Sequence, residues 1–220
     1  MIKNNTLLHG NDIFKNSYFK KHEAQLLDLA ENGQHPKALF IGCADSRVVP
    51  NLITQSAPGE LFVLRNIGNF VAPYKPDGDF HSTASGIEYA LRVLDVKEII
   101  ICGHTHCGAI ASLYADLDED SFVHTKKWLS LGVKAKELAT KALEITNFSE
   151  KPTNELLRLT EKISVVSQIE NLLSYPLVKE RVESGVLHLH GWMYDIESGD
   201  IDYYDPDAKK FQKLSDIERT

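Results

Sequence analysis

The chain has 220 residues, 43% of them hydrophobic, and a formal net charge of −7. That length and apolar content suffice for one domain with a sizeable core, and the acidic balance argues against nucleic acid or an anionic membrane surface as a partner. No apolar window of about 18 residues is present to span a bilayer and the N-terminus lacks the apolar stretch of a signal peptide, so a cytoplasmic protein is expected.

Residues 17–32 are polar with apolar beats at Phe19, Leu26, Leu27 and Leu29, which predicts a helix ending at Asn32-Gly33. It belongs to an N-terminal helical arm over 1–33. "KALFIGC" (37–43) reads as a short buried strand, and "ELFVLRN" (60–66), bounded upstream by Pro58-Gly59, as a second. In "STASGIEYALRVLD" (82–95), Ala84, Ile87, Leu91 and Leu94 fall at helical spacing, and "KEIIIC" (97–102) is a third apolar run of strand length. Strand, helix, strand implies parallel strands joined by crossover helices.

From Gly108 the pattern is helical through Tyr114; the acidic run "DLDED" (116–120) reads as a solvated loop. Mostly helical sequence continues to about residue 184. "VLHLHGWMYDI" and "IDYYDP" then flank "ESGD", a β-hairpin with Gly199 in its turn. The expected architecture is one α/β domain over 1–220. It has a mainly parallel central β-sheet flanked by helices, the N-terminal helical arm and a C-terminal β-hairpin.

The three cysteines, Cys43, Cys102 and Cys107, are odd in number and too few for a disulfide framework. They are thiols or metal ligands. In an open parallel sheet, ligands collect outside the carboxyl ends of the strands. Cys43 ends the first strand, in "FIGCADSR", while His104 and Cys107 follow the third, in "IICGHTHC". Two thiolates and an imidazole suit Zn²⁺, and three protein ligands leave a fourth position open.

Cys102, inside its apolar run, reads as core. Cys43, two residues before Asp45 and four before Arg47, reads as part of a polar site. The Asp45–Arg47 pair is either a loop salt bridge or a carboxylate held ionised to accept a hydrogen bond from metal-bound water or to ligate the metal. A cysteine-phosphatase loop is a poor fit, since its signature has five residues between Cys and Arg and "CADSR" has three. Between His104 and His106, residue chemistry alone favours His104 only slightly.

"CADSRVVP" followed by "GHTHCGA", with "PGELFVLRNIGN", "GIEYAL" and "HGWMYDIESG" in the same order, resembles the β-class carbonic anhydrases. The similarity runs from about Gln34 to Gly199. It implies reversible hydration of CO₂ to bicarbonate and a proton by zinc-bound hydroxide, with one Zn²⁺ per subunit on Cys43, His104 and Cys107. Asp45 and Arg47 take the family's catalytic pair, and Gln34 and the Gly108 N–H take its substrate donors. Phe62, Ile67 and Tyr89 match its apolar CO₂ pocket, built partly from the neighbouring subunit. His106, where relatives carry small or polar residues, is a solvent-side residue that could relay protons.

One form of the family adds a non-catalytic bicarbonate site of tryptophan, arginine and tyrosine. Here Arg65 and Tyr194 match, but Phe40 stands at the tryptophan position, and "VVPNLIT" has the length of the plant-like form. The resemblance therefore implies Asp45 bound to Arg47, not to zinc, and a homodimer or homotetramer. Two other readings differ in chemistry: a hydrolase of CS₂ or COS on the same fold, or a non-catalytic zinc protein. An intact Asp45, Arg47 and Gln34 argue against the second.

Overall fold

The computed structural model describes residues 6–79, 81–145, 151–213 and 216. Helix α1 (Thr6–Phe14) runs through a π-helical turn (Lys15–Phe19) into α2 (Glu23–Asn32), so the arm is helical well before residue 17, where the sequence pattern starts it. Gly10, Asn11 and Asp12, weak helix formers, hide that first half from a propensity reading. No residue of these three segments is buried, and Leu7, Leu8, Ile13 and Phe14 are all exposed.

Next come β1 (Ala38–Cys43), α3 (Pro50–Thr54), β2 (Leu61–Asn66), α4 (Ser82–Arg92) and β3 (Glu98–His104). A helical stretch follows with α5 (Gly108–Ser112), α6 (Val123–Leu129), α7 (Val133–Ala142), α8 (Asn154–Leu173) and α9 (Pro176–Glu183). The chain closes with β4 (His188–Tyr194), β5 (Ile201–Asp205) and β6 (Lys210–Lys213). The strand order is β2-β1-β3-β4-β5-β6. Strands β2, β1, β3 and β4 are parallel, and β4–β5 and β5–β6 are antiparallel.

This is the α/β fold with a mainly parallel sheet that the sequence pattern predicts. Its C-terminal hairpin is β4–β5, turned at Gly199 (φ 83°), whose N–H donates to the Asp195 carbonyl at 2.8 Å. Strand β6 is an addition: "KFQK" is too short and polar to announce itself.

Alternation along the strands sends Leu39 and Ile41 to one face of the sheet, with Ile99 and Ile101, against Ile87 and Leu91 of α4 and Val165 and Leu172 of α8. Ala38 and Phe40 join Ile100 and Cys102 on the other face. Because both faces are covered, β1 reads as an unbroken apolar run. Each such side chain, fully buried, contributes about 1.5–3 kcal/mol relative to exposure.

Helix α8 lies close over β3 because Gly103 faces it; a Cβ there would sit 2.5 Å from Val165 Cγ2. The same helix holds the extended segment 70–75. Gln168 Oε1 accepts the Val71 N–H (2.8 Å), Asn171 Nδ2 donates to the Val71 carbonyl (2.8 Å), and the Tyr175 hydroxyl, just beyond α8, donates to the Ala72 carbonyl (3.0 Å). Among the described residues, no helix is long and apolar enough to cross a membrane.

Candidate metal centre

Cys43 is the last residue of β1 and His104 the last of β3, so direct pairing of the two strands brings their ends side by side. Cys107 follows as the N-cap of α5. One ligand atom from each of the three lies within 4.8 Å of the others, and all three residues are buried. His104 is 1% exposed. Its Nδ1–H donates to the Thr105 carbonyl at 2.9 Å, which leaves the lone pair on Nε2. Nε2 is buried without a hydrogen-bond partner.

A buried nitrogen lone pair with no donor, facing two thiols, is costly alone and is satisfied by a cation. Two sulfurs and an imidazole are the donors a borderline-soft divalent ion takes, so the residues present fit zinc.

Backbone N–H groups prepare both sulfurs for the thiolate state. Those of Asp45 and Gly68 favour the Cys43 thiolate, and those of Ala109 and Ile110, in the first turn of α5, favour that of Cys107. Cys43 is lowered, chiefly by the facing Cys107 and against the opposing effect of burial. Cys107 is raised by the facing Cys43 sulfur and by burial. Cys102, wholly buried on β3, is pushed up to about 12 by desolvation and is an inert core thiol.

Asp45 lies one residue past Ala44, where the chain leaves the sheet. Its Oδ1 accepts from the Arg47 backbone N–H (3.0 Å) and Nε (2.9 Å), and its Oδ2 accepts from Arg47 Nη2 (2.8 Å). This bidentate pair, helped by the Arg47 N–H, holds the carboxyl well below the usual carboxylate range despite some burial. Asp45 Oδ2 is 4.0 Å from His104 Nε2, so an ionised oxygen faces the pocket. Arg47 Nη2 also donates to the His106 carbonyl (3.0 Å), tying the loop after β1 to the loop after β3.

His106 itself has left-handed backbone (φ 59°). Its exposed ring lies 3.3 Å from the Glu197 carboxylate, on the solvent side.

The remaining residues singled out from the sequence divide. Gly108, the exposed first residue of α5, faces open space, with nothing within 4 Å of where its Cβ would be. Ile67, 47% exposed, lines a cavity of about 910 Å³ together with Ala44, Asn66, Tyr74 and Trp128. Phe62 and Tyr89 stack on each other with ring centres 5.8 Å apart and line no part of that cavity. Gln34 is exposed in the link between α2 and β1.

Sequence reasoning missed two supports, Glu161 and Trp128, and matched a third, Arg65, only to a bicarbonate site. Arg65 of β2 donates from Nε to the Cys43 carbonyl (2.9 Å) and from Nη2 to the Asp45 carbonyl (2.6 Å), which commits the guanidinium to shaping this turn. Glu161 of α8 accepts the Cys107 N–H (3.0 Å) and pairs with Arg158 (2.9 Å). Trp128 of α6 donates from Nε1 to the Ile67 carbonyl (2.8 Å). Of the two missed, only Glu161, a buried polar residue at a core-facing helix position, carried a signal.

The other potential metal cluster among the described residues, Asp77, Asp79 and His81, is exposed. Its Asp77 is already engaged by Lys75 (2.7 Å) and His81 (2.8 Å).

A parallel sheet that delivers two thiols, an imidazole and a pinned carboxylate to its carboxyl edge defines an α/β protein with a candidate metal centre. Comparison with known proteins specifies the family. Residues 38–201 match the family model described as carbonic anhydrase. A carbonic anhydrase of Synechococcus elongatus is 40% identical over 197 residues, covering 89% of this chain and 69% of that protein. The structure of the β-carbonic anhydrase CcaA superposes with a TM-score of 0.86 at 36% identity, covering 94% of this chain and 98% of that one. One of two tetrameric β-carbonic anhydrases from Sordaria macrospora gives 0.76 at 30% identity, covering 90% and 94%. The chain belongs to the carbonic anhydrase family, in its β-class, and is an enzyme of the carbonate dehydratase type, a lyase.

Proposed function

We propose that the chain, working as a single domain, catalyses the reversible hydration of CO₂ to bicarbonate and a proton, with one zinc ion per subunit held by Cys43, His104 and Cys107. The observation that carries this reading is the buried, unpartnered His104 Nε2 facing two thiols beside a carboxylate pinned by arginine. Zinc, when bound, supplies a Lewis acid that brings the ionisation of water toward neutral pH.

The chain's own residues do the rest. Asp45 stays on Arg47 rather than on the ion, and its Oδ2 accepts a hydrogen bond from the attacking water, orienting that water's lone pair toward the CO₂ carbon. Arg47 keeps Asp45 ionised and, through the His106 carbonyl, keeps the two loops in register. The Gly108 N–H and the Gln34 amide donate to bound bicarbonate, and Ile67, Phe62 and Tyr89 exclude water around CO₂.

Gln34, Phe62 and Tyr89 lie off the cavity of their own chain, which supports their delivery to the site of a neighbouring subunit. The exposed Ile67 and Tyr89 and the exposed apolar residues of the N-terminal arm support a homodimer. The Sordaria macrospora relative is tetrameric, which supports pairing of such dimers. Three free thiols suit a reducing compartment, and we assign the protein to the cytoplasm.

Rapid-mixing CO₂ hydration on metal-analysed protein, compared with Asp45→Asn, tests the reading. Asn keeps one acceptor but turns an N–H₂ group toward the guanidinium. A loss in kcat of about 100-fold or more is expected with zinc retained. Zinc-replete wild type with no hydration activity at any pH would overturn the assignment.

A further inference from the structure

Arg47 Nη2 donates to two groups at once, Asp45 Oδ2 at 2.8 Å and the His106 carbonyl at 3.0 Å. That carbonyl belongs to the same peptide unit as the Cys107 N–H, which donates to Glu161 Oε1 at 3.0 Å. We propose that Glu161 is a positioning residue of the metal centre: with Arg47 it clamps the His106–Cys107 peptide from both ends and so sets Cys107 against the Asp45–Arg47 pair. The inference rests on the zinc reading above.

This peptide needs a hold on both sides. His106 has a φ of 59°, a left-handed conformation that a residue with a side chain keeps only where its surroundings fix it. A trans peptide is rigid and planar, with C=O and N–H pointing in opposite directions, so partners at both ends fix its plane where one alone leaves a hinge. Helix α5 does not supply the second partner. Cys107 is its N-cap, and a Glu or Gln at the third helical position is the local group that accepts an N-cap N–H. That position here is Ile110, so the acceptor comes from α8, 54 residues further on.

The burial of Glu161 points to a task beyond packing. The residue is 3% exposed, and its Oε1 takes both the Cys107 N–H and Arg158 Nη2 (2.9 Å), while Oε2 has no hydrogen-bond partner among the described residues. A buried ion pair of this kind adds little to stability beside apolar residues of the same size. What it fixes is relative geometry. Asp45 Oδ2, 4.0 Å from His104 Nε2, shares Arg47 Nη2 with the peptide that carries Cys107. A freed peptide would swing Cys107 from its place and draw the His106 carbonyl off Arg47.

The experiment uses full-length protein grown on isotope-labelled cysteine, so that only Cys43, Cys102 and Cys107 give backbone amide signals. Wild type is compared with Glu161→Leu, which removes the acceptor, and with Glu161→Gln, which can keep both contacts because both go to Oε1. Thr160→Val, which loses the hydrogen bond between its hydroxyl and that of Tyr114 (2.7 Å), is the control for loosening α8. Zinc affinity is measured by chelator competition, and the visible d–d bands of cobalt-substituted protein report the geometry of the donors. In Glu161→Leu the Cys107 amide proton should move upfield, zinc binding should weaken about 10- to 100-fold, and the cobalt bands should change. Glu161→Gln should stay near wild type in both metal readouts. Thr160→Val should lower the melting temperature and leave them unmoved.

If Glu161→Leu fails to fold, Glu161→Asp, whose carboxylate is drawn back by one methylene, decides the matter by the same readouts. A moved Cys107 signal with wild-type zinc affinity and cobalt bands would overturn the proposal, as would an unmoved signal in whichever of these two variants folds. Losses in Glu161→Gln or Thr160→Val equal to those of the acceptor-less protein would overturn it as well. Wild type that takes up neither zinc nor cobalt would instead defeat the metal reading beneath it.

Discussion

Replacing Gln168 by leucine tests whether the wall of the cavity beside the metal centre is held by one buried amide. Gln168 is wholly buried, and its Oε1 accepts both the Val71 N–H at 2.8 Å and Asn171 Nδ2 at 3.2 Å. Leucine fills similar space but leaves the Val71 N–H without a partner, at a cost of about 1–3 kcal/mol. Asn171 loses less, because its amide still reaches the Val71 carbonyl.

Part of the cost is offset, since Gln168 Nε2 has no partner in the native fold and leucine removes that buried group. The net expectation is a loss of about 1–2 kcal/mol, or roughly 2–8 °C in melting temperature for a chain of this size. Urea denaturation reads the loss globally, and hydrogen exchange at the Val71 amide reads it locally, with about 5- to 30-fold faster exchange. An unchanged midpoint together with unchanged Val71 protection would refute the role given to this side chain.

Two further outcomes follow from the same packing. Burial, with Glu88 nearby, pushes the Tyr175 hydroxyl up to about 12, above its unfolded value of about 10. The native state therefore keeps this proton longer, and the associated stability is complete below about pH 10 and lost as pH rises toward about 12. Tyr175→Phe should be less stable at pH 8, by about 1 kcal/mol for the lost bond to Ala72, yet fall less steeply between pH 10 and 12; parallel urea midpoints for both proteins across that range would contradict this. Gly103→Ala places a methyl against Val165 Cγ2 and should cost about 1–3 kcal/mol. Adding Val165→Ala should recover part of that loss, and strict additivity in the double variant would show that the contact is not the cause.

What the sequence revealed and what it hid have the same root, the range over which a residue's neighbours are set. "KALFIGC" and "KEIIIC" are legible as strands because burial on both faces leaves no polar position to interrupt them. Cys43, His104 and Cys107 are legible because soft donors at strand ends have few other uses, and Asp45 with Arg47 because two residues of separation already allow the pair. The role of Arg65 at this turn is illegible, since any arginine can donate to a carbonyl and only the β1–β2 register brings this one to Cys43 and Asp45. Trp128 and Glu161 reach the site from helices 61 and 54 residues away from the groups they contact, a distance over which local pattern carries no signal. Helix α1 was hidden by its own weak formers.

The placement of Cys43 and His104 at the ends of adjacent strands also has a topological side. A shared ion there joins two points about 60 residues apart, and such a cross-link removes from the unfolded chain loop entropy equivalent to about 4 kcal/mol. The ion would thus act as a fastener on strand order, favouring chains in which β1 and β3 already lie together. Metal loading and completion of the parallel sheet would become a single thermodynamic event, so that scarcity of the ion weakens the tertiary structure along with the chemistry.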